Sequence, residues 1–294
     1  MLSVNVRQKD FYESRFEATK ESRKSSERAA NMVTNFWTWL RYKLMDMGRS
    51  VNVYDQIYSL HREWMSDLKH TNVLDLGCFA GNSLSVWIAE NCANYIGIDL
   101  SEQATQFLDG KLRERGLPHA RAYKEDFLAN SFPDNYFDVV YAHAVLHHFK
   151  DMSVLLQELY RVLKPGGVII SFDPMMTEPL NRFARLLYRP LQTDRDWEWP
   201  FTRATFRLIS QYFEIPAMQG FMGMVKLSFP FQFIPGLGDV SRAIGRWGLA
   251  FDKKYARRFG LPFYLCWTVT LQLRKSDSHD EDRSNSSQNC HPER

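Results

Sequence analysis

The chain has 294 residues, 45% hydrophobic and 24% charged, the proportions of a globular protein with room for one large domain and additions to it. Its 37 Lys and Arg against 34 Asp and Glu leave a net charge of only +3, far from the basic excess of a protein built to grip nucleic acid. Four cysteines without paired spacing (Cys78, Cys92, Cys266, Cys290) argue against a disulfide scaffold and a structural zinc site, and fit a reducing, cytoplasmic setting.

In chain order, residues 7–31 carry twelve charges in 25 positions and predict a solvated helix, with Phe11, Tyr12 and Phe16 as its apolar contacts. Residues 32–70 place rings and aliphatics such as Trp37, Leu40, Tyr54, Ile57 and Trp64 at helical spacing, so 1–70 reads as a helical N-terminal cap. The opening MLSVNVRQKD lacks an apolar signal core, so secretion is not expected. The longest uncharged run, Phe259–Leu273, has 15 residues and contains Pro262, short of the roughly 18 a membrane span needs.

From residue 71 the pattern alternates. Apolar runs predict buried strands at Asn72–Leu76, Tyr95–Ile98, Ala120–Tyr123, Phe137–Ala142 and Val168–Phe172. Helical patterns lie between them at Ser83–Asn91, Glu102–Glu114 and Met152–Leu163, the last closed by Gly166-Gly167. This is an α/β chain: a Rossmann-like parallel sheet with helices on both faces, to which Tyr212–Met222 and Tyr264–Arg274 add an antiparallel edge. The last nineteen residues, 276–294, hold no aliphatic or aromatic side chain and predict a disordered polar tail.

In such a sheet, ligands bind beyond the carboxyl ends of the strands. The first strand there runs into Asp75-Leu76-Gly77-Cys78-Phe79-Ala80-Gly81, where glycines permit a tight turn and close approach of a ligand to the backbone. The second ends at Asp99, whose carboxylate suits a ribose diol, and the third at Asp126-Phe127, an acceptor and a ring that suit an adenine. Three carboxylates are a poor match for a pyrophosphate and a good one for a phosphate-free cofactor with a positive centre. Gly77 and Gly81 are separated by CFA, so the GxGxxG turn of dinucleotide enzymes is absent.

VLDLGCFAGNSL, IGIDLSEQA, KEDF, FDVVYAHAVLHHF and LYRVLKPGGVII resemble, in order, the motifs of class I S-adenosylmethionine-dependent methyltransferases, closest to the quinone and lipid branch, over about residues 71–174. The resemblance implies S-adenosylmethionine as methyl donor without a metal. It places Asp75, Gly77 and Gly81 beside the methionine part, Asp99 on the ribose, Leu100 near the adenine, Asp126 on the adenine amino group and Phe127 against its ring. It puts His143 at the methionine end of the cleft. The family usually has glycine where this chain has Phe79: either the turn tolerates the ring, or Phe79 reshapes the pocket or weakens the cofactor. The base-methylating Asn/Asp-Pro-Pro-aromatic signature is replaced by Tyr141-Ala142-His143-Ala144, which disfavours nucleic-acid substrates.

Methyl transfer from a sulfonium is an in-line displacement that asks for positioning and exclusion of water. His147 and His148 are the candidate bases for an acidic acceptor, because histidine titrates near working pH; a purely structural role for the pair is the alternative. Residues 71–275 would form the methyltransferase domain, with substrate-cap insertions near 175–205 and 224–260. The first carries Arg182, Arg185 and Arg189, then Asp194–Phe201 with two Trp; the second an aromatic Leu227–Pro235 loop and a helix near 239–258. That helix sets six cations against Asp239 and Asp252, and suits either peripheral contact with an anionic membrane through 227–258 or a lid over the site. The aromatic cap points to a hydrophobic small-molecule acceptor, a lipid or secondary metabolite. O-methylation is favoured, with C- or N-methylation, a protein substrate, or a catalytically silent binding protein as alternatives.

Overall fold

A computed structural model describes residues 32–191 and 198–276. The charged helix expected over 7–31, the Asp194–Trp197 part of the acidic loop and the tail beyond Ser276 lie outside them.

Two helices, α1 (Met32–Ser50) and α2 (Val53–Met65), precede the sheet. Then come β1 (Asn72–Leu76), α3 (Ser83–Asn91), β2 (Asn94–Asp99), α4 (Glu102–Glu114), β3 (Ala120–Lys124), β4 (Phe137–His143), α5 (Met152–Val162) and β5 (Leu163–Pro174). The chain continues through α6 (Pro179–Tyr188), α7 (Arg203–Tyr212), β6 (Glu214–Phe221), a 3-10 segment (Val225–Phe233), α8 (Gly238–Tyr255) and β7 (Thr268–Arg274). The strand order is β3-β2-β1-β4-β5-β7-β6, parallel except that β7 runs antiparallel to β5 and β6. The order reverses between β1 and β4, and that is where a doubly wound sheet opens a crevice.

Local chemistry starts the helices where the sequence places them. Asn82 Oδ1 accepts from the N–H groups of Leu84 and Ser85 while Ser85 Oγ accepts from Asn82 N–H, a reciprocal cap that launches α3. Asp151 caps α5 from one side, its Oδ1 accepting from the N–H groups of Ser153 and Val154.

Strand alternation divides the core. Leu74, Val140 and Ile169 pack on one face with Leu155 and Leu159 of α5 and Ile209 of α7. Val73, Tyr141 and Ile170 pack on the other with Ile88 of α3 and Leu108 of α4. A third cluster joins Met47, Val53 and Ile57 of the N-terminal helices to Phe172, Phe221 and Leu249, so α1, α2 and α8 share one roof beside β5 and β6.

Four features differ from expectation. Gly166-Gly167 lies inside β5 rather than ahead of it: α5 passes straight into the strand at Leu163, and the glycines fall in an irregularity where the pairing jumps from Phe137–Leu163 to Val139–Val168. The final strand begins at Thr268 because Pro262 starts a one-turn helix, Leu261–Tyr264. The aromatic loop from Leu227 is 3-10 helix as far as Phe233, and the basic helix ends at Tyr255.

Candidate active site

A cavity of about 1570 Å³ opens over the carboxyl ends of the strands. Pockets for one small ligand run to roughly 300–1,000 Å³, so this one has space for two molecules side by side. Gly77, Phe79, Asp99, Leu100, Glu125, Asp126 and Phe127 line its β1–β3 side. His143, His147, Phe172, Pro174, Trp267 and Thr268 line the β4–β7 side, with Glu178, Lys226 and Phe229 from the insertions and Leu40, Tyr42 and Leu44 from α1.

The first turn needs its glycines. Gly77 has φ 68 and Gly81 φ 72, the left-handed region where a side chain is strained. A Cβ on Gly77 would sit 2.4 Å from Val145 Cγ2, and one on Gly81 2.5 Å from Leu108 Cδ1. Phe79 also lies in this region, at φ 46. The turn therefore keeps the glycine-like conformation at a cost of about 1–2 kcal/mol. Phe79 lines the cavity.

Phe79 N–H donates to Asp99 Oδ2 at 3.1 Å, and Ser101 N–H donates to Oδ1 at 2.9 Å. Burial raises the Asp99 pKa, opposed by these backbone donors. Two fixed hydrogen bonds orient the carboxylate and leave lone pairs for a diol. Asp126 Oδ1 accepts from Leu128 N–H at 3.1 Å, holding that carboxylate beside the buried Phe127 ring.

Beyond β4, Ala144 adopts φ 60 and its N–H donates to Phe172 O at 2.7 Å. The His143 ring stacks on Phe172 at 4.9 Å and packs near Tyr58 and His61 of α2. Burial pushes its pKa down to about 4, so the ring is neutral at ordinary pH. Its Nε2 is buried with no hydrogen-bond partner among the described residues.

His147 is tied to the end of β5: its Nδ1 lies 2.9 Å from Asp173 Oδ1, and its backbone N–H donates to the same oxygen at 3.1 Å. Facing a carboxylate, Nδ1 carries the proton, and in the neutral ring Nε2 keeps its lone pair. The His148 ring lies 4.1 Å from that of His147.

Eight of the ten site residues expected from the sequence line this one cavity: Gly77, Asp99, Leu100, Asp126, Phe127, His143, His147 and His148. Asp75 and Gly81 stand behind it. The Asp75 carboxyl is 1% exposed and accepts the Tyr95 hydroxyl at 2.7 Å; burial pushes its pKa up to about 7, opposed by hydrogen bonds from Ser85 and Tyr95. Asp173, Glu178 and Lys226 were given no role by sequence. Asp173 was within reach of the rule that singled out Asp99, an acid at a strand's carboxyl end; Lys226 carries no sequence signal at all.

The carboxylates of Asp99, Glu125 and Asp126 line the β1–β3 side with no lysine or arginine beside them among the described lining residues there. The unpartnered His143 Nε2 adds a polar atom to the site. This donor set fits a cationic, phosphate-free nucleoside cofactor.

The comparisons agree with this geometry. Residues 74–171 match the family model described as a methyltransferase domain. Sterol 24-C-methyltransferase of Aspergillus fumigatus is 35% identical over 107 residues, covering 36% of this chain and 28% of that protein. 2-Methyl-6-phytyl-1,4-hydroquinone methyltransferase of Synechocystis is 34% identical over 127 residues, 41% and 39% of the two chains. Demethylmenaquinone methyltransferase of Listeria welshimeri is 32% identical over 126 residues, 40% and 53%. The match thus spans between about a quarter and a half of these relatives' length. Among solved structures, the [4+2]-cyclase SpnF superposes with a TM-score of 0.52 at 21% identity, over 76% of this chain and 81% of that one. The YcgJ protein of Bacillus subtilis gives 0.50 at 16%, over 76% and 100%. At those identities the likeness is one of fold. Over residues 74–171, about a third of its length, the chain is thus similar to the methyltransferase-domain family.

Proposed function

We propose that this chain transfers a methyl group from S-adenosylmethionine to a hydrophobic small molecule of the sterol, quinone or lipid kind. The observation that carries the reading is one cavity with a carboxylate-lined β1–β3 side and an aromatic, largely apolar β4–β7 side, large enough for two ligands. The names of the three partial relatives support the choice of acceptor class.

Bound, the cofactor supplies an electrophilic methyl on a sulfonium. Asp99 would accept the ribose hydroxyls and Asp126 the adenine amino group, with Leu100 and Phe127 flanking the ring. The Gly77 turn would hold the methionine part, which His143 would meet as a neutral ring. For an oxygen acceptor, His147 takes the hydroxyl proton at Nε2, and Asp173 holds the ring in the tautomer that does so and stabilises the imidazolium. His148 packs on that ring and bounds the site. The apolar walls exclude water.

Peripheral membrane contact belongs to the same reading. No helix among the described residues is long and apolar enough to cross a membrane. Phe36, Trp39 and Tyr42 of α1 and Leu227, Phe233 and Ile234 of the second insertion are exposed; Tyr42 and Leu227 line the cavity, and the Trp39 and Phe233 rings lie 6.0 Å apart. The exposed Arg246, Lys254, Arg257 and Arg258 of α8 and its end supply positive charge. An apolar rim with cations suits an anionic lipid surface. Sedimentation with phosphatidylglycerol vesicles that weakens in high salt is expected, and no sedimentation at low salt removes this part.

The decisive experiment is transfer of label from S-adenosylmethionine into fractionated cell extract. Label in the organic fraction is the expected result; label in protein, nucleic acid or polar metabolites overturns the acceptor class.

A further inference from the structure

Inside the cavity wall sits a charged pair that the methyl-transfer reading does not use. Glu178 comes from the segment entering α6 and Lys226 from the 3-10 segment after β6, 48 positions later. Both line the cavity, Glu178 is 8% exposed, and the Lys226 side chain is 16% exposed. Burial lowers the Lys226 pKa. Buried charge is costly and needs a structural or functional return.

The two groups do not close on each other: Nζ of Lys226 stands 3.8 Å from Glu178 Oε1, beyond hydrogen-bonding distance. The more exposed Lys164–Asp138 pair of this molecule closes to 2.8 Å. Each member of the buried pair is held elsewhere. Lys226 Nζ donates to Leu265 O at 2.9 Å and lies 5.2 Å from the Trp267 ring centroid. Glu178 Oε2 accepts from Asn181 N–H at 2.8 Å and from Trp267 Nε1 at 3.4 Å. The gap is therefore set by the surrounding chain. In the same cavity wall, Thr268 Oγ1 is buried with no hydrogen-bond partner among the described residues.

We propose that Glu178 and Lys226 form a subsite for an uncharged hydroxyl group on an apolar ligand. A hydroxyl oxygen accepts from Nζ while its O–H donates to Oε1, so one group bridges both charges. A carboxylate or phosphate meets Glu178 with like charge, an amine meets Lys226 with like charge, and a hydrocarbon or ether leaves Glu178 Oε1 without a donor. The ligand class is thus an alcohol or phenol on a hydrophobic skeleton. The subsite rests on the cavity being the acceptor site, but its ligand preference is measured without cofactor.

The test is calorimetric titration of the protein with farnesol, farnesyl methyl ether and farnesoate, three probes that share one apolar chain. Farnesol is expected to bind about tenfold or more tightly than either analogue, the discrimination of a site built around a hydroxyl. In Lys226→Met and in Glu178→Gln that preference should shrink severalfold, with affinity for the ether kept. Equal binding of all three, tightest binding of the carboxylate, no binding of farnesol, or an undiminished preference in a folded variant overturns the proposal. Titration of S-adenosylhomocysteine reports folding of each variant, and either variant alone suffices. It also separates the two ideas: S-adenosylhomocysteine binding without a hydroxyl preference sinks the subsite alone, whereas no cofactor binding to the unaltered protein sinks the methyltransferase reading.

Discussion

Asp173 Oδ1 receives two hydrogen bonds from His147, one from the ring Nδ1 and one from the backbone N–H. The carboxylate thereby fixes both the position of the residue and the tautomer of its ring. Asp173 is fully buried, and its Oδ2 has no partner among the described residues.

If His147 is the base, His147→Ala lowers the methyl-transfer rate about 10²–10⁴-fold while leaving S-adenosylhomocysteine affinity within a few fold. Asp173→Asn, which can hold the ring in the wrong tautomer, lowers it by a similar order. Single-turnover rates and calorimetric titration on the same samples check both. A rate unchanged in His147→Ala assigns the pair a structural role.

Asp99→Asn keeps the shape of the carboxylate but weakens its acceptors for a diol and for the N–H groups of Phe79 and Ser101. S-adenosylhomocysteine should bind about tenfold or more weakly, with loss of a charge-assisted hydrogen bond as the cause. Unaltered affinity would remove Asp99 from the cofactor site.

Phe79 pays for its left-handed backbone, and two variants isolate that cost. Phe79→Ala and Phe79→Gly both remove the ring, but only glycine relaxes at φ 46. Chemical denaturation should find the glycine variant more stable than the alanine variant by about 1 kcal/mol, the reverse of the usual order.

Asp75 sets a pH trend. Its pKa is raised from 3.8 in the unfolded chain to about 7 by burial, so the folded state holds a proton that the unfolded state has released. The resulting stability is fully present below about pH 4 and is lost as pH rises through about 7. Asp252, raised to about 6 by burial, adds to the same trend. Asp75→Asn keeps an acceptor for the Tyr95 hydroxyl and removes the titration. Its unfolding free energy should rise relative to the parent by about 1–4 kcal/mol between pH 4 and pH 8. A parallel pH dependence in the two proteins would contradict the assignment.

What was written locally was legible in the sequence. The Asn82 cap, the glycines of the first turn and the apolar runs of β1 to β5 act within a few residues of themselves, so reading them in order yields the sheet and places Gly77, Asp99, Asp126 and His147 at its carboxyl edge. Gly166-Gly167 was misplaced because only the pairing of β5 with β4 makes that segment part of a strand. Asp75 belongs to the residues that only the tertiary structure assigns: with the period of two in β1 it shares the Val73 face, beneath the first turn rather than in the cavity. The contacts of His147 with Asp173 and of Lys226 with Glu178 join residues 26 and 48 positions apart. Such partners are chosen by strand register and by how two insertions pack over the sheet, which depends on the whole chain at once, whereas caps and turns depend on the few residues that form them.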